Sequence, residues 1–306
     1  MKNSISGFWG SNLISLITTF NPKVFDKYTV EQAINSWLSN QCVSRVIVYG
    51  VPAGTLSIVD SRMEFYETNE FPSVKHMLDL VAKSTDDILL GYINSDIIIL
   101  NLEKTINEVL KHANGQRFLI SSLRKNVEKS DLVIEDGKLN IKLGAGRFDH
   151  AGLDVFIYSN GALDNYPFLW IANGYFDYTF IREALRDGLS VYDATGAMGL
   201  LHVDHEGYSS SFDYHARYMG EKYKSNRKMS PWWSVIAYPL TRSHFLIDSN
   251  LNIKKNSAKR RHFDWIFEYF LGVAYHCLLS GYPYTRRPMH LLGRGYRFIF
   301  NKWKRT

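Results

Sequence analysis

The chain has 306 residues, 45% of them hydrophobic and 22% charged, the make-up of a folded protein with room for one large domain or a core with an appendage. Its two cysteines, Cys42 and Cys277, are far apart and have no metal-ligand spacing, so no disulfide framework is expected and a reducing compartment fits. The formal net charge of +6 is concentrated in the tail: residues 254–306 hold 12 Lys and Arg against 2 acids, a net of +10, whereas residues 1–253 hold 24 against 28, a net of −4. A basic tail on a mildly acidic body points to an anionic surface as partner for the tail alone. The start of the chain lacks the basic-then-apolar layout of a signal peptide, and no charge-free run is long enough to span a bilayer. Aromatics make up 14%, which suits sugar binding or a membrane interface but first of all the filling of a core.

In chain order, residues 15–20 read as a first strand, stopped by Asn21-Pro22. Thr29-Val30-Glu31-Gln32 has the capping-box pattern, and Val30, Ala33, Ile34, Trp37 and Leu38 then recur at helical spacing. Residues 45–50 form a second strand, and strand, helix, strand in this order implies a parallel sheet. A third strand at 64–67 precedes a helix carrying Val74, Met77, Leu78, Val81 and Ala82 on one face, then a buried strand at 88–93. Asn101 is placed to cap a helix with Leu102, Ile106, Val109, Leu110 and Ala113 on its face, closed by Asn114-Gly115. Strands follow at 118–122, 152–158 and 189–193, with a hairpin turn at Glu135-Asp136-Gly137-Lys138. A helix opens at Asn173-Gly174-Tyr175-Phe176-Asp177, with Phe176, Phe180, Ile181, Ala184 and Leu185 as its core face, and ends at Asp187-Gly188.

The pattern turns on residues 88–100, where two apolar runs flank Asn94-Ser95-Asp96. A carboxylate between such runs is costly to bury unless it is paired or bound to a cation. A strand ending in a short polar step with an acid is also how an open α/β sheet presents a ligand-binding carboxylate. On this stretch alone, a strand that simply ends in a polar turn explains the residues as well. Three later segments occur in order: Asn173 to Tyr178, Val191-Tyr192-Asp193-Ala194-Thr195, and His202-Val203-Asp204-His205-Glu206-Gly207-Tyr208. With the Ile93 to Ile97 step, they resemble bacterial GT-A-type, family 2-like nucleotide-sugar glycosyltransferases over roughly the first two-thirds of the chain. That family usually carries Asp-x-Asp at the central step; here Asn94 stands in the first acidic position, and Phe176 stands where a Trp is usual.

The resemblance implies a GT-A-like α/β fold, a mostly parallel sheet flanked by helices, over residues 1–215, with a basic, aromatic and helical extension over 216–306. Glycosyl transfer develops charge on a diphosphate leaving group, which a divalent cation, Mn²⁺ or Mg²⁺, neutralises. Asp96 is the expected oxygen ligand, and His202 or His205 the expected nitrogen ligand, with His205 preferred. The competing reading of the two histidines is a hydrogen-bonded, partly buried pair. Asp177 is the expected base for the acceptor hydroxyl, although an acid in the first turn of a helix is also favoured by the helix dipole alone. Asp154 is a weaker acceptor-side candidate, and Asp193 reads as a turn cap. Thr18, Phe20, Glu67, Asn69, Asn94 and Ser95 are placed around the donor nucleotide. No dinucleotide-binding glycine motif and no phosphate-loop lysine motif is present.

Residues 262–275 are aromatic and apolar with basic residues on either side, and Arg294, Arg297, Lys302, Lys304 and Arg305 alternate with Tyr296, Phe298, Ile299, Phe300 and Trp303. This suits an interfacial helix docking on an anionic membrane, or alternatively a helix packed on the core or a dimer face. The expected partners are a nucleotide-sugar donor, a lipid-linked glycan acceptor at the cytoplasmic face of the membrane, and no nucleic acid, as in surface polysaccharide biosynthesis. Two rival functions stay open: a sugar nucleotidyltransferase on the same fold, for which Lys23 is the one basic residue after the first strand, and a membrane-docked binding protein without catalysis, which the Asn94 departure favours.

Overall fold

The computed structural model describes residues 13–20, 26–70, 72–135, 138–142, 144–171, 176–203, 220–229 and 239–257. Asn21-Pro22-Lys23, the Asp136-Gly137 turn, residues 173–175, His205 and the aromatic, basic segment beyond residue 257 lie outside them.

β1 (Ile14–Thr19) is apolar toward both faces and is a central strand for that reason. It pairs in parallel with β2 (Val43–Tyr49) on one side and β4 (Leu89–Ile93) on the other, and β3 (Met63–Tyr66) continues in parallel beyond β2. β9 (Arg147–Ser159) lies antiparallel between β4 and β6 (Phe118–Val127). β10 (Ser190–Asp193) pairs in parallel with β6, and β12 (Phe245–Ile247) in parallel with β10, with β13 (Ile253–Lys255) antiparallel at the edge. β5 (Ile97–Leu100) and β11 (Gly199–Val203) form an antiparallel pair, attached through β11 to the second half of β6. β7 (Leu132–Glu135) and β8 (Lys138–Ile141) form a separate antiparallel pair, with Glu135 opposite Lys138. The fold is thus α/β with a mixed, mostly parallel sheet flanked by helices.

Two apolar layers cover the two faces. Helix α1 (Lys27–Leu38) and α3 (Leu102–Ala113) supply Trp37, Ile34, Ile106 and Val109 to one. Helix α2 (Val74–Ser84) and α4 (Phe176–Arg186) supply Met77, Val81, Phe180 and Ile181 to the other. Gly91 is required in β4 because a Cβ there would lie 2.7 Å from Cδ2 of Leu16.

One expectation changes. α1 starts at Lys27 rather than after Thr29: the Asp26 carboxylate accepts the N–H groups of Tyr28 and Thr29, each at 3.3 Å, and the Thr29 hydroxyl at 3.0 Å. A charged cap with two acceptor oxygens outcompetes the buried threonine. The run after Asp96 is a strand, β5, turned away from the main row to pair with β11. β12 and β13 complete the edge of the main sheet, within a first compact unit that runs to Lys259. A further helix, α5 (Glu221–Met229), belongs to the first unit. Among the described residues, no helix is long and apolar enough to cross a membrane.

Candidate active site

Parallel strands β1, β2, β3 and β4 all end at one edge of the sheet, which brings Thr19, Tyr49, Tyr66 and Asn94 to that edge. The turn Asn94-Ser95-Asp96 between β4 and β5 is fixed from three sides. The Asn94 N–H donates to the Asp154 carbonyl at 2.9 Å, and the Ile97 N–H to the Asn94 carbonyl at 3.2 Å. Trp37 of α1, fully buried, donates its indole N–H to the Ile97 carbonyl at 2.8 Å. The carboxylate that ends this strand is therefore mounted on packed structure rather than on a mobile loop.

Strand register then supplies the partner. His202 of β11 pairs opposite Ile97, one residue beyond Asp96. Its Nε2 consequently meets Asp96 Oδ2 at 3.2 Å, with both side chains more than nine-tenths buried. Asp154 of β9 stands on the other side of the turn. It accepts from the Asn94 amide and from Arg124 Nη1 at 3.1 Å, and Arg124 Nη2 donates to Asp149 at 3.0 Å. The Tyr92 hydroxyl donates to Asn94 Oδ1 at 2.8 Å, which fixes the amide so that its NH₂ faces Asp154. Asn94 is thus a clamp between Tyr92 and Asp154. An aspartate in its place would set two carboxylates against each other.

The two buried carboxylates are driven in opposite directions. Burial pushes Asp96 up, but the His202 hydrogen bond and charge, with Arg124, outweigh it, so Asp96 titrates below the usual carboxylate range. Burial also pushes Asp154 up, and the neighbouring Asp96 adds to this while Arg124 opposes it, leaving Asp154 above that range. Asp96 is accordingly the more firmly ionised of the two.

Asp177 lies in the first turn of α4, where its Oδ1 accepts the N–H of Tyr178 at 2.9 Å. The helix start is anchored by the Tyr166 hydroxyl, which donates to the Phe176 carbonyl at 2.5 Å, and by Tyr92, which meets Phe176 edge-on at 6.0 Å and stacks on Phe180 at 5.8 Å. Burial pushes the Tyr92 hydroxyl well up, and the charges of Asp154, Asp96 and Asp177 push it further. All three carboxylates therefore bear on one phenol.

The other expected residues are less concentrated. Thr18 is fully buried and Phe20 packs in the core, while Thr19 is partly exposed at the edge and donates its hydroxyl to the Tyr49 carbonyl at 2.8 Å. Ser95 is buried in the turn, and Glu67 and Asn69 are exposed beyond β3. Asp193 accepts the N–H of Thr195 at 2.9 Å, as a turn cap does. Residues not singled out from the sequence include Arg124, Asp149 and Tyr92, and the stacked pair Tyr49–Tyr66, whose ring centroids are 5.3 Å apart with Tyr66 45% exposed at the edge. β6 has no alternating pattern that would single out Arg124, and its acidic partners come from β9, adjacent only in the fold.

The Asp96–His202 pair fits a divalent cation in one respect. Two donor atoms about 2.1 Å from one cation and at right angles are about 3 Å apart, close to the 3.2 Å found. Among the described residues, no group of three or more His, Cys, Asp or Glu side chains is placed to hold a metal.

No protein-family model matches the chain, and no curated protein matches it. Among solved structures, it is similar to S. aureus TarS in complex with UDP-GlcNAc, at 14% identity over 65% of this chain and 61% of that one, with a TM-score of 0.42. It is also similar to the inositol-1-phosphate CTP transferase from T. maritima, at 10% identity over 71% and 98%, with a TM-score of 0.41. HddC from Yersinia pseudotuberculosis is similar at 16% identity over 52% and 80%, with a TM-score of 0.32.

Proposed function

We propose that the chain is a transferase that uses a nucleotide-sugar donor, and more specifically a glycosyltransferase that moves the sugar to a saccharide acceptor. The observation that supports this best is the juxtaposition of Asp96 and His202 at 3.2 Å, in the turn that closes a parallel strand. A divalent cation held by this pair would neutralise the diphosphate as it leaves. Asp154 and Asn94 hold the turn in shape, and Asp177 takes the proton from the acceptor hydroxyl as that oxygen attacks the sugar carbon. The nucleoside would lie along the edge formed by Thr19, Tyr49 and Tyr66, with Glu67 and Asn69 beyond it.

A screen of nucleotide sugars by calorimetry and donor hydrolysis, with Mn²⁺ and with EDTA, tests this reading. Cation-dependent binding of at least one nucleotide sugar, with slow hydrolysis when no acceptor is present, is the expected result. Binding without hydrolysis under any condition would instead mark a binding protein without catalysis. Release of pyrophosphate from a nucleoside triphosphate and a sugar 1-phosphate would mark a nucleotidyltransferase.

The acceptor side of the proposal rests on the tail. Its net +10 and interleaved aromatics support a lipid-linked acceptor at an anionic, cytoplasmic membrane face. Full-length protein is expected to sediment with anionic vesicles and not with neutral ones, and high salt should weaken this without abolishing it, because the aromatics are unscreened. Failure to sediment with anionic vesicles, or equal binding by protein truncated after residue 253, would reassign the tail to a packing role.

A further inference from the structure

Arg124 of β6 bridges to two acids of β9, and the chain is shaped around it. It sits where the register of β6 against β9 shifts twice, at Ser121/Leu123 and at Leu123/Arg124. Gly152, on β9, leaves the space its stem occupies: a Cβ there would stand 2.7 Å from Cγ and Nε and 2.9 Å from Cδ of Arg124. Those atoms are packed under the glycine, and Nε is buried without a hydrogen-bond partner. The side chain is 22% exposed, and its two terminal nitrogens carry its hydrogen bonds. The tip is held by two unequal acids: Asp154, 7% exposed, and Asp149, 28% exposed. Asp96 adds its field to both. A guanidinium stays charged at any working pH, and its planar fork suits phosphate oxygens as well as carboxylates.

We infer that Arg124, seated by Gly152 and anchored by Asp154, presents its guanidinium tip to the diphosphate of the donor, with Asp149 as the partner it exchanges for a phosphate oxygen. This rests on the donor reading above and adds a cationic contact that belongs to the protein itself. It also suits a site in which Asn94 replaces one acid: the chain has one negative charge fewer for a metal and a fixed positive charge beside the turn. Asp149 is the exchangeable partner because it is the more exposed, and so gives up the less desolvated contact.

The test is the preference for a nucleoside diphosphate over the matching monophosphate, measured by calorimetry in EDTA, where only protein cations can meet the second phosphate. Uridine, cytidine and guanosine nucleotides serve as probes. Wild-type protein is expected to favour the diphosphate by 10-fold or more. Arg124→Gln and Gly152→Ala, which remove or unseat the charge, should bring that ratio to within about twofold of unity with monophosphate affinity retained. Asp149→Asn, which frees the tip, should raise the ratio. A purely structural salt bridge would instead weaken both nucleotides together. Ratios unchanged in Gly152→Ala and Asp149→Asn overturn the inference even if Arg124→Gln fails to fold. A wild-type protein that binds nucleotides with no diphosphate preference in EDTA overturns it while leaving the donor reading intact. A protein that binds no nucleotide overturns both.

Discussion

Replacing Asp96 by alanine is expected to lower cation-dependent donor binding by about 100-fold or more, since it removes the carboxylate that meets His202 Nε2 at 3.2 Å. Breaking a buried pair on one side also destabilises a protein, by about 3–5 kcal/mol in well-studied cases. Asp96→Asn, which keeps the shape, therefore accompanies it. The folded-state titration of Asp96 lies below its unfolded value, so its contribution to stability is present above the unfolded value and is lost as pH falls through the folded one. The stability gap between wild type and Asp96→Asn should accordingly be widest near neutral pH and narrow in acid. Calorimetric titration with Mn²⁺ and donor checks the binding, and urea unfolding at several pH values checks the linkage. Donor affinity that is unchanged in the asparagine variant and insensitive to EDTA would remove Asp96 from the site.

Asp177→Asn is expected to leave donor affinity intact and to reduce transfer by roughly 10²–10⁴-fold, the range lost with a general base. The helix should survive the change: Asn still accepts from the Tyr178 N–H, and α4 is held at its start by Tyr166 and Tyr92. A first-turn acid at the N-terminus of a helix contributes less than about 1 kcal/mol through the dipole. A stability loss of that size with normal turnover would therefore identify Asp177 as a helix-start residue only. Comparing donor hydrolysis with transfer sharpens the assignment, because hydrolysis by bulk water depends less on a base aligned with the acceptor oxygen.

Much of the fold was legible in the sequence because it is local. The stripes Val74, Met77, Leu78, Val81 and Phe176, Phe180, Ile181, Ala184 give helices with one buried face, and those faces are the ones packed in the core. The run Leu89–Ile93 is apolar throughout because it is buried on both sides, between β1 and β9. The start of α1 was misplaced because Asp26 and Thr29 both carry capping chemistry, and only the geometry shows the carboxylate collecting three donors. The edge strands after residue 215 were missed because β12 and β13 are three residues each, too short for a period to register.

The sequence by itself determined that Asp96 is a carboxylate set between two buried runs and that an acid opens α4, since both follow from the order of apolar and polar residues along the chain. Only the tertiary structure decided what faces Asp96. His202 reaches it because β11 pairs antiparallel with β5 in one register, and a slip of one residue would turn the imidazole to the opposite face. Arg124 reaches Asp154 and Asp149 because β6 and β9 are adjacent and Gly152 leaves room for its stem. Charges far apart in the chain can share a buried site only through strand register and the space a missing side chain leaves, and neither is encoded in the spacing of residues along the chain.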